Sequence, residues 1–196
     1  MVASAPFLSP QPPTLQIPQF GFGNGNGPFG PSGNLGVQIS SAGIQPGATG
    51  ADNVLAAFTL PAYSFDNFGR GIQITAAGSF GATGNNKTIK LFAGATTATV
   101  GSTISGGTAV ASTGTVTTNG GGWQIQASIY KYSAGGANTQ LGIHQPSITG
   151  AAASTLLAPS LLTMTESGAL IFAVTGNAAT AATDILLNFF EIYGTN

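Results

Sequence analysis

The chain is predicted to be all-β, an antiparallel sandwich or barrel preceded by an extended arm. Runs of β-branched and aromatic residues recur with apolar side chains at alternate positions, and clusters of Gly, Asn and Ser separate them. Composition also changes sharply near residue 50. Eight of the eleven prolines lie ahead of it (Pro6, Pro10, Pro12, Pro13, Pro18, Pro28, Pro31 and Pro46), and no residue from Met1 to Ala51 carries a charged side chain.

Residues 1–51 are therefore read as an extended arm. Proline removes backbone donors and fixes φ, and the glycine-rich run from Gly21 to Gly30 is costly to order, so neither a helix nor a central strand fits. The arm differs from a typical disordered linker in being uncharged and studded with Phe7, Ile17, Phe20, Phe22 and Phe29. Such side chains are unfavourable in water and are expected to lie against a partner or a neighbouring subunit.

Residues 52–196 carry the β domain. Strands are predicted over Val54–Leu60, Gly71–Phe80, Lys87–Ala93, Thr97–Ile104, Thr108–Thr113, Trp123–Lys131, Thr139–Gln145, Ala169–Thr175 and Thr183–Tyr193. Ile72/Ile74/Ala76, Ile89/Leu91 and Trp123/Ile125/Ala127/Ile129 each occupy one face, which marks half-buried strands. The predicted core is Ile72, Ile74, Ile89, Leu91, Trp123, Ile125 and Phe172. Turns are expected where Gly and Asn cluster, as at Ala82–Asn86, Ser105–Gly107 and Asn119–Gly122. A short helix or ordered loop is expected around Ala151–Met164, ended by Pro159. The last two strands read as apolar on both faces, so Phe172, Phe189 and Phe190 are assigned to a subunit interface that covers the second face.

Charge limits the chemistry. The 196 residues contain four Lys or Arg, five Asp or Glu, one His and no Cys, for a net charge of −1. General acid–base catalysis and metal binding draw on those residue types, so no enzyme activity, metal site or cofactor is expected. Four cations spread from Arg70 to Lys131 make no basic stripe, which argues against nucleic-acid binding. The N-terminus lacks the features of a secretory signal, and the tract Leu156–Met164 is too short for a membrane span, so synthesis and folding in a cytosol and no membrane contact are expected.

The remaining motifs are read as structural. His144, the lone histidine, makes a Ser/His/Asp triad with Asp52, Asp66 or Asp184 only on paper, since no Gly-x-Ser-x-Gly elbow exists. Gly25–Gly30 matches Gly-x-Gly-x-x-Gly but follows no strand and runs into Pro31. Asn86-Lys-Thr88 is a glycosylation sequon read as a hairpin turn. Trp123, Tyr130 and Tyr132 on one strand suit either a stacking platform for carbohydrate or, as preferred here, core and strand-end positions. Asp66 and Arg70, four apart, are expected to pin a loop.

The stretches Asp52–Pro61, Gly69–Phe80, Asn86–Phe92 and Gly121–Ile125 together resemble virion proteins of tailed bacteriophages. The resemblance covers most of the β domain and does not extend to the arm. It implies a jelly roll of about eight strands, a homotrimer, and a role in head decoration (cement), head fibres or tail fibres, with no catalytic residues. The expected partners are a major capsid protein and further copies of the chain, and the expected location is the virion head surface. The alternative is a tail-fibre or receptor-binding module that takes a host glycan.

Overall fold

The computed structural model describes residues 33–44, 50–134, 137–145, 148–149, 152–153, 158–179 and 182–195. In chain order the strands are β1 (Gly33–Ile44), β2 (Asn53–Leu60), β3 (Gly71–Phe80), β4 (Lys87–Thr97), β5 (Ser105–Ser112), β6 (Gly122–Lys131), β7 (Gln140–Gln145), β8 (Ile148–Thr149), β9 (Ala152–Ala153), β10 (Ser160–Leu162), β11 (Leu170–Ala178) and β12 (Ile185–Thr195). A single 3-10 turn, Ala182–Asp184, precedes β12. Among the described residues no helix is long and apolar enough to cross a membrane.

The strands form two antiparallel sheets. One runs β1-β12-β3-β6-β7-β10, with β8 and β9 attached at β6, and the other runs β2-β11-β4-β5. The eight longest strands are nested: the first pairs with the last (β1 with β12), β2 pairs with β11, β3 with β6, and β4 with β5. β7 and β10 widen the first sheet beyond β6.

Each inward row of the first sheet mixes large residues with Gly or Ala. One row reads Gly194, Ile72, Ile129, Gly142; the next reads Ile192, Ile74, Ala127, His144; a third reads Phe190, Ala76, Ile125. Each row thereby fills its width with few bulky side chains, leaving room for the opposite sheet to interdigitate. Gly142 shows the consequence, because a Cβ there would sit 2.9 Å from Val110 of β5. Ile72, Ile74, Ile89, Leu91, Trp123, Ile125 and Phe172 are all buried, as the alternation predicts.

Four expectations are corrected. The segment expected to be all arm contains β1, whose Leu35 is buried in the core, so the β-sheet begins ahead of residue 52. The reason is local: residues 33–44 form a window free of proline between Pro31 and Pro46, and an edge position tolerates their glycines. β4 continues without a break to Thr97, and residues 98–104, expected to be a strand, connect it to β5. Gly106 and Gly107, read as a turn, lie inside β5 with φ of 67° and 83°, beside a register shift where β4 bulges. Within 151–164, where a short helix or an ordered loop is expected, the described residues instead include the short strands β9 and β10.

Removing β1 would uncover the apolar edge of β12. We expect Leu35→Ala to lower unfolding stability by about 2–4 kcal/mol in urea titrations. A chain beginning at Asp52 is expected to aggregate at concentrations where one beginning at Gly33 stays soluble, as measured by light scattering.

Candidate functional site

Phe7, Ile17, Phe20, Phe22 and Phe29 lie outside the described residues. The interface assignments divide. Phe172 and Phe190 are 0% and 3% exposed within the chain's own core, so neither offers surface to another subunit. The cause in β12 is a bulge between Leu187 and Phe189, where the pairing with β3 shifts register. Ile185 and Leu187 ahead of it and Phe190 and Ile192 beyond it therefore all point inward, while half-buried Phe189 faces outward with exposed Tyr193. Simple alternation had put Phe190 and Leu187 on opposite faces. Across the strand pair, Ile39 of β1 sits opposite Phe189, and Ile39 and Val37 are 74% and 46% exposed.

The most elaborate polar arrangement sits where β6 ends. Lys131, the last residue of β6, places Nζ 2.6 Å from Glu166 Oε1, and both side chains are buried. Lys131 Nζ also donates to the carbonyl of Ala137, and Gln140 Nε2 donates to Glu166 Oε1. Gln140 further joins the backbone of Met164, accepting from its N–H at 2.9 Å and donating to its carbonyl at 3.3 Å. The Glu166 N–H donates to Asn138 Oδ1 at 3.0 Å. Burying two charges is costly, and these extra hydrogen bonds are what make the pair tolerable.

The loop Pro61–Arg70 closes over this pair. Phe65 anchors it in the core at 0% exposure, and Ser64 Oγ donates to the Pro61 carbonyl at 2.6 Å. Arg70 Nη1 meets Asp66 Oδ1 at 2.6 Å, the loop pin that their spacing predicts. Gly69 N–H donates to the Lys131 carbonyl, and Tyr63 N–H donates to the Glu166 carbonyl at 2.7 Å. Tyr63 is the one non-glycine among the described residues with positive φ, 62°, and its side chain is 65% exposed. A cavity of about 160 Å3 results, lined by Tyr63, Asp66, Asn138, Glu166 and Ser167.

Sequence reasoning found the Asp66–Arg70 half of this site and missed Glu166, Asn138 and Ser167. Glu166 lies 35 positions from Lys131 and 26 from Gln140, and no local spacing links them.

A second cluster lies at the other end of β3 and β6. Lys87 is 0% exposed, and its Nζ donates to the carbonyls of Thr83, Asn85 and Thr118 at 2.6, 3.1 and 3.2 Å. Asp184 accepts from Thr83 Oγ1 at 2.7 Å and Asn85 Nδ2 at 2.8 Å. Burial alone would raise the Asp184 pKa, but the bonds from Thr83 and Asn85 and the charge of Lys87 outweigh it and hold the carboxyl below its ordinary range. The sequon at Asn86 thus leads into a linkage between the two sheets, from β3 to β4, rather than a hairpin. Asp52, the third aspartate considered for a triad, binds Lys90 at 2.7 Å and Asn177 at 3.3 Å. Each of the three aspartates is thus held by neighbouring side chains. His144 is buried on β7 opposite Ala127, and burial lowers its pKa. No group of three His, Cys, Asp or Glu close enough to hold a metal exists among the described residues.

Two outcomes follow from these clusters. Lys131→Met should cost about 3–5 kcal/mol by stranding a buried carboxylate, and adding Glu166→Gln to the same chain should recover part of that loss in thermal melts. Acid should destabilise the fold in two steps. His144 and Asp184 both have depressed pKa values when folded, so each contributes stability above its unfolded pKa that is lost as pH falls through the folded one. The first loss should begin below pH 6.5 and the second below 3.8, the ordinary values of the two groups, with Asp184→Asn flattening only the second.

A scan against protein-family models, a search of curated proteins and a search of solved structures each found no match to this chain.

Proposed function

We propose that this chain is a non-enzymatic virion structural protein of the jelly-roll type, most consistent with a capsid decoration protein anchored by its N-terminal arm. The observation that carries the fold reading is the nested pairing of first strand with last, second with next-to-last, third with sixth and fourth with fifth. A long hairpin rolled on itself produces this order, with two Greek keys in two facing sheets. A double sheet of this kind suits a compact block repeated over a capsid surface.

The role reading rests on how the block meets its surroundings. With nine charged side chains in 196 residues, long-range electrostatic attraction contributes little, and contact must come from apolar area and main-chain pairing. β1 supplies both. It is an edge strand of the first sheet, and Val37 and Ile39 are exposed on its outward face next to Phe189 and Tyr193. This margin is our candidate for contact between copies in a homotrimer, in place of Phe172 and Phe190. Residues 1–32 immediately precede this strand in the chain, and Phe7, Ile17, Phe20, Phe22 and Phe29 are the side chains we propose for contact with capsid protein or adjacent trimers.

A second reading, a tail-fibre or receptor-binding module, is favoured by one feature. The loop Pro61–Arg70 presents Tyr63 and Phe68 at 65% and 75% exposure from one end of the sandwich.

Copy number on purified particles separates the two readings. Decoration predicts a band intensity that scales with the major capsid protein, and a fibre predicts one that scales with tail proteins. A chain beginning at Gly33 is expected to fold and to form trimers in light scattering, yet fail to bind heads lacking the protein. Binding by the full chain should weaken little with added salt, because the arm has no charge to screen. Equal binding by the shortened chain would remove the arm from the mechanism.

A further inference from the structure

We propose that the cavity beneath Tyr63 is a binding site for a single sugar ring. The inference does not rest on whether the protein sits on a head or a tail. Three properties of the cavity point to a small, neutral, hydroxyl-rich ligand.

The first is size. A water molecule occupies roughly 30 Å3 in the liquid, so a cavity of about 160 Å3 holds several waters or one compact ring. It lies well below the roughly 300–1,000 Å3 of pockets that take extended ligands.

The second is the balance of donors and acceptors. The cavity has two carboxylates in its wall, Asp66 and Glu166, and carboxylates accept hydrogen bonds without donating. Glu166 is 3% exposed, and its Oε2 has no hydrogen-bond partner among the described residues, although Oε1 receives both Lys131 and Gln140. The Oε2 atom itself is sealed from solvent, so the polar groups open to a ligand are the Asp66 carboxylate, the Asn138 amide and the Ser167 hydroxyl. Asn138 spends Oδ1 on the Glu166 N–H and keeps its amide donors, while Ser167 adds a hydroxyl. Vicinal sugar hydroxyls, each donor and acceptor at once, match this mixture.

The third property is charge. Lys131 lies 2.6 Å from Glu166 and Arg70 lies 2.6 Å from Asp66, so both carboxylates already have counter-ions. A calcium ion seeks about six to eight oxygens with uncompensated negative charge, and these paired groups do not supply it. A neutral ligand meets no such deficit.

Tyr63 completes the site. Positive φ in a bulky residue is strained, and here the hydrogen bond from its N–H to the Glu166 carbonyl holds it in that conformation. The strain sets an exposed aromatic ring at the cavity wall. Its face suits the C–H face of a pyranose, while the exposed Asp66 carboxylate takes an equatorial hydroxyl.

The test uses the full chain labelled with 15N and titrated with methyl glycosides of glucose, galactose, mannose and N-acetylglucosamine, with calcium chloride run separately. Saturable shifts of the Tyr63, Asn138 and Ser167 amides with at least one glycoside, at millimolar Kd, are expected. Tyr63→Ala should weaken that binding about tenfold, and Asp66→Asn should weaken it similarly. Val100→Ala, an exposed position in the connection between β4 and β5, should leave it unchanged. Unaltered melting temperatures would confirm that the variants fold. No saturable shift with any glycoside, saturation by calcium alone, or a Tyr63→Ala Kd equal to the parent's would overturn the proposal.

Discussion

Four of the nine charged side chains are buried, and they hold the two ends of the sandwich. Lys131 and Glu166 fix the end where β6 finishes, and Lys87 and Asp184 fix the end where β3 finishes. β3 and β6 are ten residues each, so the clusters stand about 30 Å apart along the strands. Between them the core is aliphatic and aromatic and determines no unique length of loop. At the ends, loop carbonyls turn away from the sheet ladders and need donors. Lys87 answers three of them with one ammonium, which explains why a charge is tolerated at 0% exposure: its partners are the dipoles that the loops leave over.

The few exposed charges leave solubility to neutral polar groups. Gln73, Thr75, Gln124 and Gln126 form a polar belt on the outward face of β3 and β6, with Gln126 Nε2 donating to Thr75 Oγ1 at 3.3 Å. Apolar residues collect at the margins of that face, Val37 and Ile39 at one edge and Leu161 at the other. The edges of the sheet thereby combine apolar side chains with the backbone groups of edge strands. A surface built this way discriminates by shape and hydrogen-bond register, with little dependence on ionic strength.

How much of this was legible in the sequence follows from the range of each interaction. The alternation of Ile72, Ile74 and Ala76 against Gln73 and Thr75 depends on neighbours two positions apart, and it identified β3 to the residue and the core with it. β12 defeated the same logic because its bulge inserts one residue, and after it every side chain changes face. β1 was hidden by its surroundings, since proline and glycine on both sides dominate the local composition. The Lys131–Glu166 site was beyond reach for a different reason. Its members come from the end of β6, the start of β7 and the turn before β11, and only the folded chain makes them neighbours.

The two charged ends differ in a way that separates structure from function. At the Lys87 end each oxygen of Asp184 has a side-chain donor and Lys87 has three acceptors, so the cluster is complete as it stands. At the Lys131 end Glu166 Oε2 lacks a partner among the described residues, Tyr63 is strained, and Tyr63, Asp66 and Glu166 line a cavity. Both ends do the same structural task, so the second has no need of these defects for stability. Unsatisfied groups and strained backbone persist where something other than folding selects them. That asymmetry is the physical argument for placing recognition at the Tyr63 end and leaving the Lys87 end as a purely structural clamp.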